Sequence, residues 1–161
     1  MSQELITAIT RQEQVLVLDT FTEDTAFALG CDLHARAKAI NAPVSIEIRS
    51  AARRYFFATL PGATPENEDW GRRKINTVLR TFKSSMRAGL EYDAEGRSQW
   101  PEVGLRYEDF VIHGGGFPVS VRGAGVIAAI GISGLPSIED HEIATAALAA
   151  HLGIKLDALP R

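Results

Sequence analysis

Apolar residues recur along this chain with two different periods, and the switches between them outline the elements. Leu5, Ile6 and Ile9 follow Ser2 at helical steps, which predicts a short amphipathic helix over residues 3–13. The run from Val15 to Phe21 (VLVLDTF) is β-rich, and Thr22 stands where a helix cap belongs. Ala26, Phe27, Leu29, Gly30, Leu33, Ala37 and Ile40 then mark one buried helical stripe, stopped near Asn41-Ala42-Pro43. Val44 to Ile48 and Tyr55 to Leu60 read as two strands joined by a polar connection, a hairpin. After the Pro61–Pro65 loop, Trp70, Ile75, Val78, Leu79, Phe82 and Met86 predict one long helix from about Glu66 to Ala88. Gly89 to Glu108 has no clean period and is expected to be irregular, with short helical turns. Pro118 to Arg122 and Val126 to Ser133 are two further strands, the second apolar throughout and so expected at the sheet centre. Ser137-Ile138-Glu139-Asp140 resembles a capping box, opening a last helix that Gly153 stops after about Leu152.

The order α-β-α-β-β-α-irregular-β-β-α, with mostly hairpin-connected strands, predicts an α+β fold with a mainly antiparallel sheet layered by helices. No repeat, low-complexity segment or linker interrupts it, so residues 1–161 are expected to form one domain.

Composition narrows the function classes. The chain is 45% hydrophobic and 23% charged, the balance of a globular protein. Seventeen basic against twenty acidic residues give a net charge of -3, which argues against a nucleic-acid partner. Cys31 is the only cysteine, so neither an intrachain disulfide nor a thiolate zinc site is expected. No apolar stretch nears the ~18 residues of a membrane span. The N-terminus lacks the basic and apolar regions of a secretory leader, and the cytoplasm is the expected location.

Residues 113 to 136 (HGGGFPVSVRGAGVIAAIGISGLP) concentrate the glycines. Gly123, Gly125 and Ala128 fit a dinucleotide fingerprint on paper, but a strand-like run follows them where a helix N-terminus is required. His113-Gly114-Gly115-Gly116 resembles an oxyanion-hole segment, yet Gly131-Ile132-Ser133-Gly134 is one residue short of the nucleophile elbow such an enzyme needs. No Gly-Lys-Ser/Thr exists for a phosphate loop. The remaining reading is structural. Gly114 to Gly116 allow a close backbone approach or positive φ at a strand entry, and Gly123 belongs to a tight turn. Amides exposed in such a turn can still hold an anion or a ligand carbonyl.

His34, His113, His141 and His151 are the only imidazoles. Asp140, His141 and Glu142 are consecutive on a helix, so they point about 100° apart and cannot close on one ion; no preformed metal site is expected. A single imidazole can still serve as an axial haem ligand. Arg72, Arg73, Lys74, Arg80, Lys83 and Arg87 occupy a stretch with no acid between Trp70 and Leu90. On one long helix Arg73, Arg80 and Arg87 would share a face. Such a stripe suits a ligand's carboxylates, a phosphate, an acidic neighbour, or simply solvent. Ser84 and Ser85 would add hydroxyls to it.

LPGATPENEDWGRRK (60–74), HGGGFPV (113–119) and GISGLPSIEDHE (131–142) resemble the haem-degrading, HbpS/GlcG-like superfamily, and more narrowly its small cytoplasmic branch. The similarity runs from about Val15 to His151. The resemblance implies a profilin-like layered α/β/α fold, a homo-oligomer, and relatives that bind haem or related tetrapyrroles. In the family pattern a histidine commonly precedes the Ala-x-Leu-Pro-Gly segment; here that position is Phe57. The expected function is therefore small-molecule binding, with haem or another anionic planar ligand as the leading candidate. The ligand-binding set would be Trp70, Arg73, Lys74, Arg80, Ser84, Ser85, His113, Gly114, Gly115, Gly116, Ser133 and His141. An assembly protein without a ligand, and an enzyme using His113 or His141 as acid or base, are the alternatives.

Overall fold

A computed structural model describes residues 2–97 and 104–161. The elements are α1 (Ser2–Val15), β1 (Val17–Leu18), α2 (Glu23–Ala39), β2 (Ser45–Arg49), β3 (Arg54–Thr59), α3 (Pro65–Thr81), α4 (Ser85–Ala94), β4 (Gly116–Val121), β5 (Gly125–Ser133) and α5 (Ser137–Leu152). The strands form one five-stranded sheet in the order β1-β4-β5-β2-β3. Only the β1–β4 pairing is parallel; the other three are antiparallel. The α+β, mainly antiparallel expectation therefore holds, and the apolar β5 lies at the centre.

Alternation along β5 divides the molecule into layers. Ala128, Ile130 and Ile132 point into the larger core, where Leu29 and Leu33 of α2 and Ala144 and Leu148 of α5 meet them. Ala129 turns to the opposite face and packs with Ile75 and Val78 of α3. On that face Gly131 leaves α3 room: a Cβ there would lie 2.7 Å from Ile75 Cγ1 and 3.0 Å from Gly71 O. Small residues on one side of β5 and branched ones on the other thus set different helix-to-sheet distances.

Local signals explain most boundaries. Thr22 caps α2 by accepting from the Thr25 N–H, while Thr25 Oγ1 accepts from the Thr22 N–H, both at 3.2 Å. Pro65 begins α3, where its missing N–H costs nothing. Gly153, left-handed at φ 65°, ends α5 as expected.

Four boundaries differ from the sequence reading. α1 runs on to Val15, so the β-rich run contributes only Val17 and Leu18 to the sheet. The expected long helix is two helices. It stops at Phe82, which adopts the left-handed conformation (φ 56°), and restarts after Ser84, whose Oγ accepts from the Arg87 N–H and caps α4. α4 then gives order to part of the stretch expected to be irregular; residues 98–103 of that stretch lie outside the described residues. Finally, Pro136 rather than Ser137 precedes α5, and Asp140 makes no capping box because its carboxylate is engaged elsewhere.

Candidate functional site

The glycine segment and the N-terminal half of α3 meet around a buried ion pair. Lys74 Nζ donates to Asp140 Oδ2 at 2.9 Å and to the Ile132 carbonyl at 2.8 Å. Asp140 also accepts from the backbone amides of Gly134 (3.3 Å) and Leu135 (3.1 Å). Both residues are buried. Burial pushes the Lys74 ammonium down and the Asp140 carboxyl up, and the partner's charge opposes each shift. The pair is therefore held by geometry: Lys74 has two acceptors in place, and the carboxylate collects three donors.

Gly115 lies directly on this pair. Its φ is 117°, and a Cβ would come within 2.2 Å of the Ile132 oxygen and 3.0 Å of Lys74 Nζ. Gly114 and Gly116 make similarly close approaches, to the Ser137 oxygen and to Lys74 O with Ser85 Oγ. Ser85 donates to the His113 carbonyl and accepts from the Gly116 N–H at 3.0 Å, while Ser137 Oγ accepts from the Gly114 N–H. These contacts use up the amides of Gly114 and Gly116. The turn is a framework that fixes His113, rather than an open anion nest.

His113 itself stands at the surface. Its ring meets Trp70 edge-on, with centroids 5.2 Å apart. Arg73 lies beneath, its guanidinium 4.6 Å from the Trp70 ring centroid and 5.2 Å from that of Tyr107. Arg73 Nη1 donates to the Tyr107 carbonyl at 3.3 Å, and Nε is 2.9 Å from Asp69 Oδ2, an ion pair not aligned as a hydrogen bond. Partial burial lowers the His113 pKa, and the charges of Lys74 and Arg73 lower it further, so the imidazole is mostly neutral at pH 7. A neutral, accessible ring nitrogen is a usable donor, acceptor or metal ligand.

The expected ligand-binding residues therefore divide by location. Trp70 and His113 come together at a surface, with the buried Arg73 beneath them. Lys74, Ser84, Ser85 and Gly114 to Gly116 are buried supports behind it. Ser133 is buried at the end of β5. Arg80 is exposed on α3, and the helix break removes Arg87 from its face. The basic stripe is also largely neutralised by acids from elsewhere in the chain: Arg72 by Asp69 and Asp109, Lys83 by Glu91, and Arg87 by Glu13 and Glu91.

His141 is fully buried. Its Nε2 pairs with Gln12 Oε1 at 2.8 Å, its ring meets Phe117 edge-on at 5.5 Å, and no ligand can reach it. Asp140, His141 and Glu142 diverge as their spacing requires, to Lys74, Gln12 and Arg161 respectively. Tyr107 escapes sequence reasoning because it lies in the aperiodic stretch; Asp69 escapes it too, although its i,i+4 spacing to Arg73 is a readable signal.

Phe57 shares with Glu47 a cleft of about 350 Å³ between β2, β3 and the start of α3, together with Arg49, Arg54 and Arg72. The position where the family pattern has histidine is thus separate from His113. Among the described residues the principal clefts are lined by side chains other than Trp70, Arg73 and His113. Among the described residues no helix is long and apolar enough to cross a membrane.

Comparison with known proteins bears on this geometry. The model of a family described as haem degrading protein, HbpS-like, matches residues 21–149. A UPF0303 protein of Mesorhizobium japonicum is 47% identical over 149 residues, covering 92% of this chain and 89% of the relative. The crystal structure of the Ybr137w protein superposes with a TM-score of 0.84 at 27% identity, covering 92% of this chain and 87% of that one. The structure of a PduOC–haem complex superposes with a TM-score of 0.68 at 21% identity, covering 89% and 100%; at that identity the likeness is one of fold.

Proposed function

The chain belongs to the HbpS-like haem-degrading protein family, and from that premise we propose that it binds a small, flat, anionic ligand of the tetrapyrrole class on its His113 surface. The observation that carries this reading is the neutral, accessible imidazole of His113, set against Trp70 and above the Arg73 guanidinium. In haem binding, the His113 ring would supply the iron ligand, Trp70 and Tyr107 the apolar contact, and Arg73 a positive field beneath the ring. When bound, haem would bring redox and oxygen chemistry that these side chains lack. The protein's own part is to hold one imidazole neutral and fixed, which the Gly114–Gly116 turn and Ser85 support.

Binding is favoured over turnover. Among the described residues no carboxylate hydrogen-bonds the His113 ring, so the orienting partner of a general acid–base pair is missing. A haemin titration followed at the Soret band tests the reading. A saturable shift at one haemin per chain, weakened about tenfold or more in His113→Ala, is expected. A non-saturating shift of equal size in both proteins would overturn it.

Self-association is the companion reading. Phe27 and Phe82 are 65% and 63% exposed, an unusual placement for large aromatics in a free monomer. Light scattering on Phe27→Ser and Phe82→Ser should give a smaller particle than the parent protein; an unchanged mass would remove those residues from any interface.

A further inference from the structure

A second cleft lies in another part of the chain, where α1 and the segment after Gly153 fail to close on each other. The cleft between them has a volume of about 570 Å³, within the range of small-molecule sites. Ala8, Val15 and Leu156 give it apolar walls, while Arg11 and Lys155 also line it.

Gln12 decides its chemistry. The residue is 6% exposed, yet it lines the cleft. Its Oε1 can only accept, so the 2.8 Å bond to His141 Nε2 requires the proton on that ring nitrogen and occupies the amide oxygen. The Gln12 amide nitrogen keeps two N–H donors that no described residue accepts. That nitrogen is not among the fully buried unpaired atoms, so it is open to the cleft that Gln12 lines, where a ligand oxygen can accept from it. Arg11 and Lys155 have no ion-pair partner among the described residues, which adds positive charge to the same place. Glu4 and Asp157 line the cleft too, so a multiply charged anion would be repelled, whereas a single carboxylate can be placed among the donors.

We propose that this cleft binds a small apolar monocarboxylic acid. The carboxylate accepts from the Gln12 amide beside Arg11 and Lys155, and the hydrocarbon body lies along Ala8, Val15 and Leu156. The site is independent of the His113 surface, so either assignment can fail alone.

Octanoate is the probe, with octanol as its uncharged counterpart, in calorimetric titrations of the full chain. Saturable one-to-one binding of octanoate is expected, with octanol weaker by about tenfold or more. The double variant Arg11→Ala/Lys155→Ala, which changes only exposed side chains, should weaken octanoate about tenfold. Ala8→Trp should fill the cleft and abolish binding, and His113→Ala should leave it unchanged. In a proton–nitrogen correlation spectrum the Gln12 side-chain amide should move with the same saturation curve. Three results would overturn the proposal: no octanoate binding by ~10 mM, equal affinity for octanol, or a Gln12 amide that stays still while octanoate saturates.

Discussion

Lowering the pH from 7 to 5 should destabilise this protein mainly through His141. The ring is fully buried beside Phe117 and Gln12, and desolvation brings its pKa down to about 4 from an ordinary 6.5. Above pH 6.5 the side chain is neutral in folded and unfolded chains alike and contributes no pH dependence. Below that value the unfolded chain takes up a proton that the folded one refuses until about pH 4, so stability is lost as pH falls through this window. At ~1.4 kcal/mol for each pH unit the whole interval is worth about 3 kcal/mol, and about 2 kcal/mol of that is gone by pH 5. For a chain of this size the loss should lower the melting temperature by roughly 4–8 °C. Thermal unfolding at pH 7 and pH 5, on the parent protein and on His141→Gln, measures it. Glutamine keeps a neutral donor toward Gln12 and cannot titrate. The His113 and Asp140 shifts are common to both proteins and cancel in the comparison. If His141→Gln loses as many degrees between pH 7 and pH 5 as the parent, His141 is not the buried neutral group described.

The supports of the His113 surface make further predictions. Gly115→Ala should cost more than about 3 kcal/mol in chemical denaturation, because a Cβ would strike the Ile132 oxygen at a backbone φ of 117°; a loss below about 1 kcal/mol would show that the turn can yield. Lys74→Met should cost about 3–5 kcal/mol by leaving Asp140 buried without its cation, and the double variant Lys74→Met/Asp140→Leu should be less damaging than the sum of the two single changes. Additive losses would mean that the pair is not coupled. Phe82→Gly should not destabilise, and should gain up to about 1 kcal/mol, since the exposed ring occupies a left-handed position that glycine adopts freely. The comparison is made at a protein concentration low enough to keep the chain monomeric, where a clear loss of stability in chemical denaturation would show that the Phe82 ring is packed within its own chain.

What the sequence discloses follows from how local each determinant is. β5 is readable as the central strand because Val126 to Ser133 carries no charge. The Thr22 cap and the Gly153 stop are readable because their chemistry lies within one turn of the chain. The break between α3 and α4 is not, because Ile75, Val78, Leu79, Phe82 and Met86 keep helical spacing straight through it. Ser84 is the available signal, a helix cap that reads as one hydroxyl among several; Glu13 of α1, which accepts from its backbone N–H at 2.8 Å, lies 71 residues away. The basic stripe misleads for the same reason: Asp140, Asp109 and Glu13 neutralise it from distant segments. His141 looks like an ordinary helix residue, and the Gln12 side chain of α1 that closes over it lies 129 residues away. Trp70, Arg73 and His113 lie close together in the structure, and the two family motifs that carry them are both legible in the chain.

The most direct test of the His113 surface is chemical rescue. In His113→Gly the side chain proposed to contact the ligand is removed while the glycine-rich turn stays permissive. The haemin-induced Soret shift should be lost in this variant and return on adding free imidazole, with His34→Gly behaving as the parent throughout. A His113→Gly protein that binds haemin as the parent does, or that imidazole fails to restore, would contradict the assignment of His113 as the ligand-contacting residue.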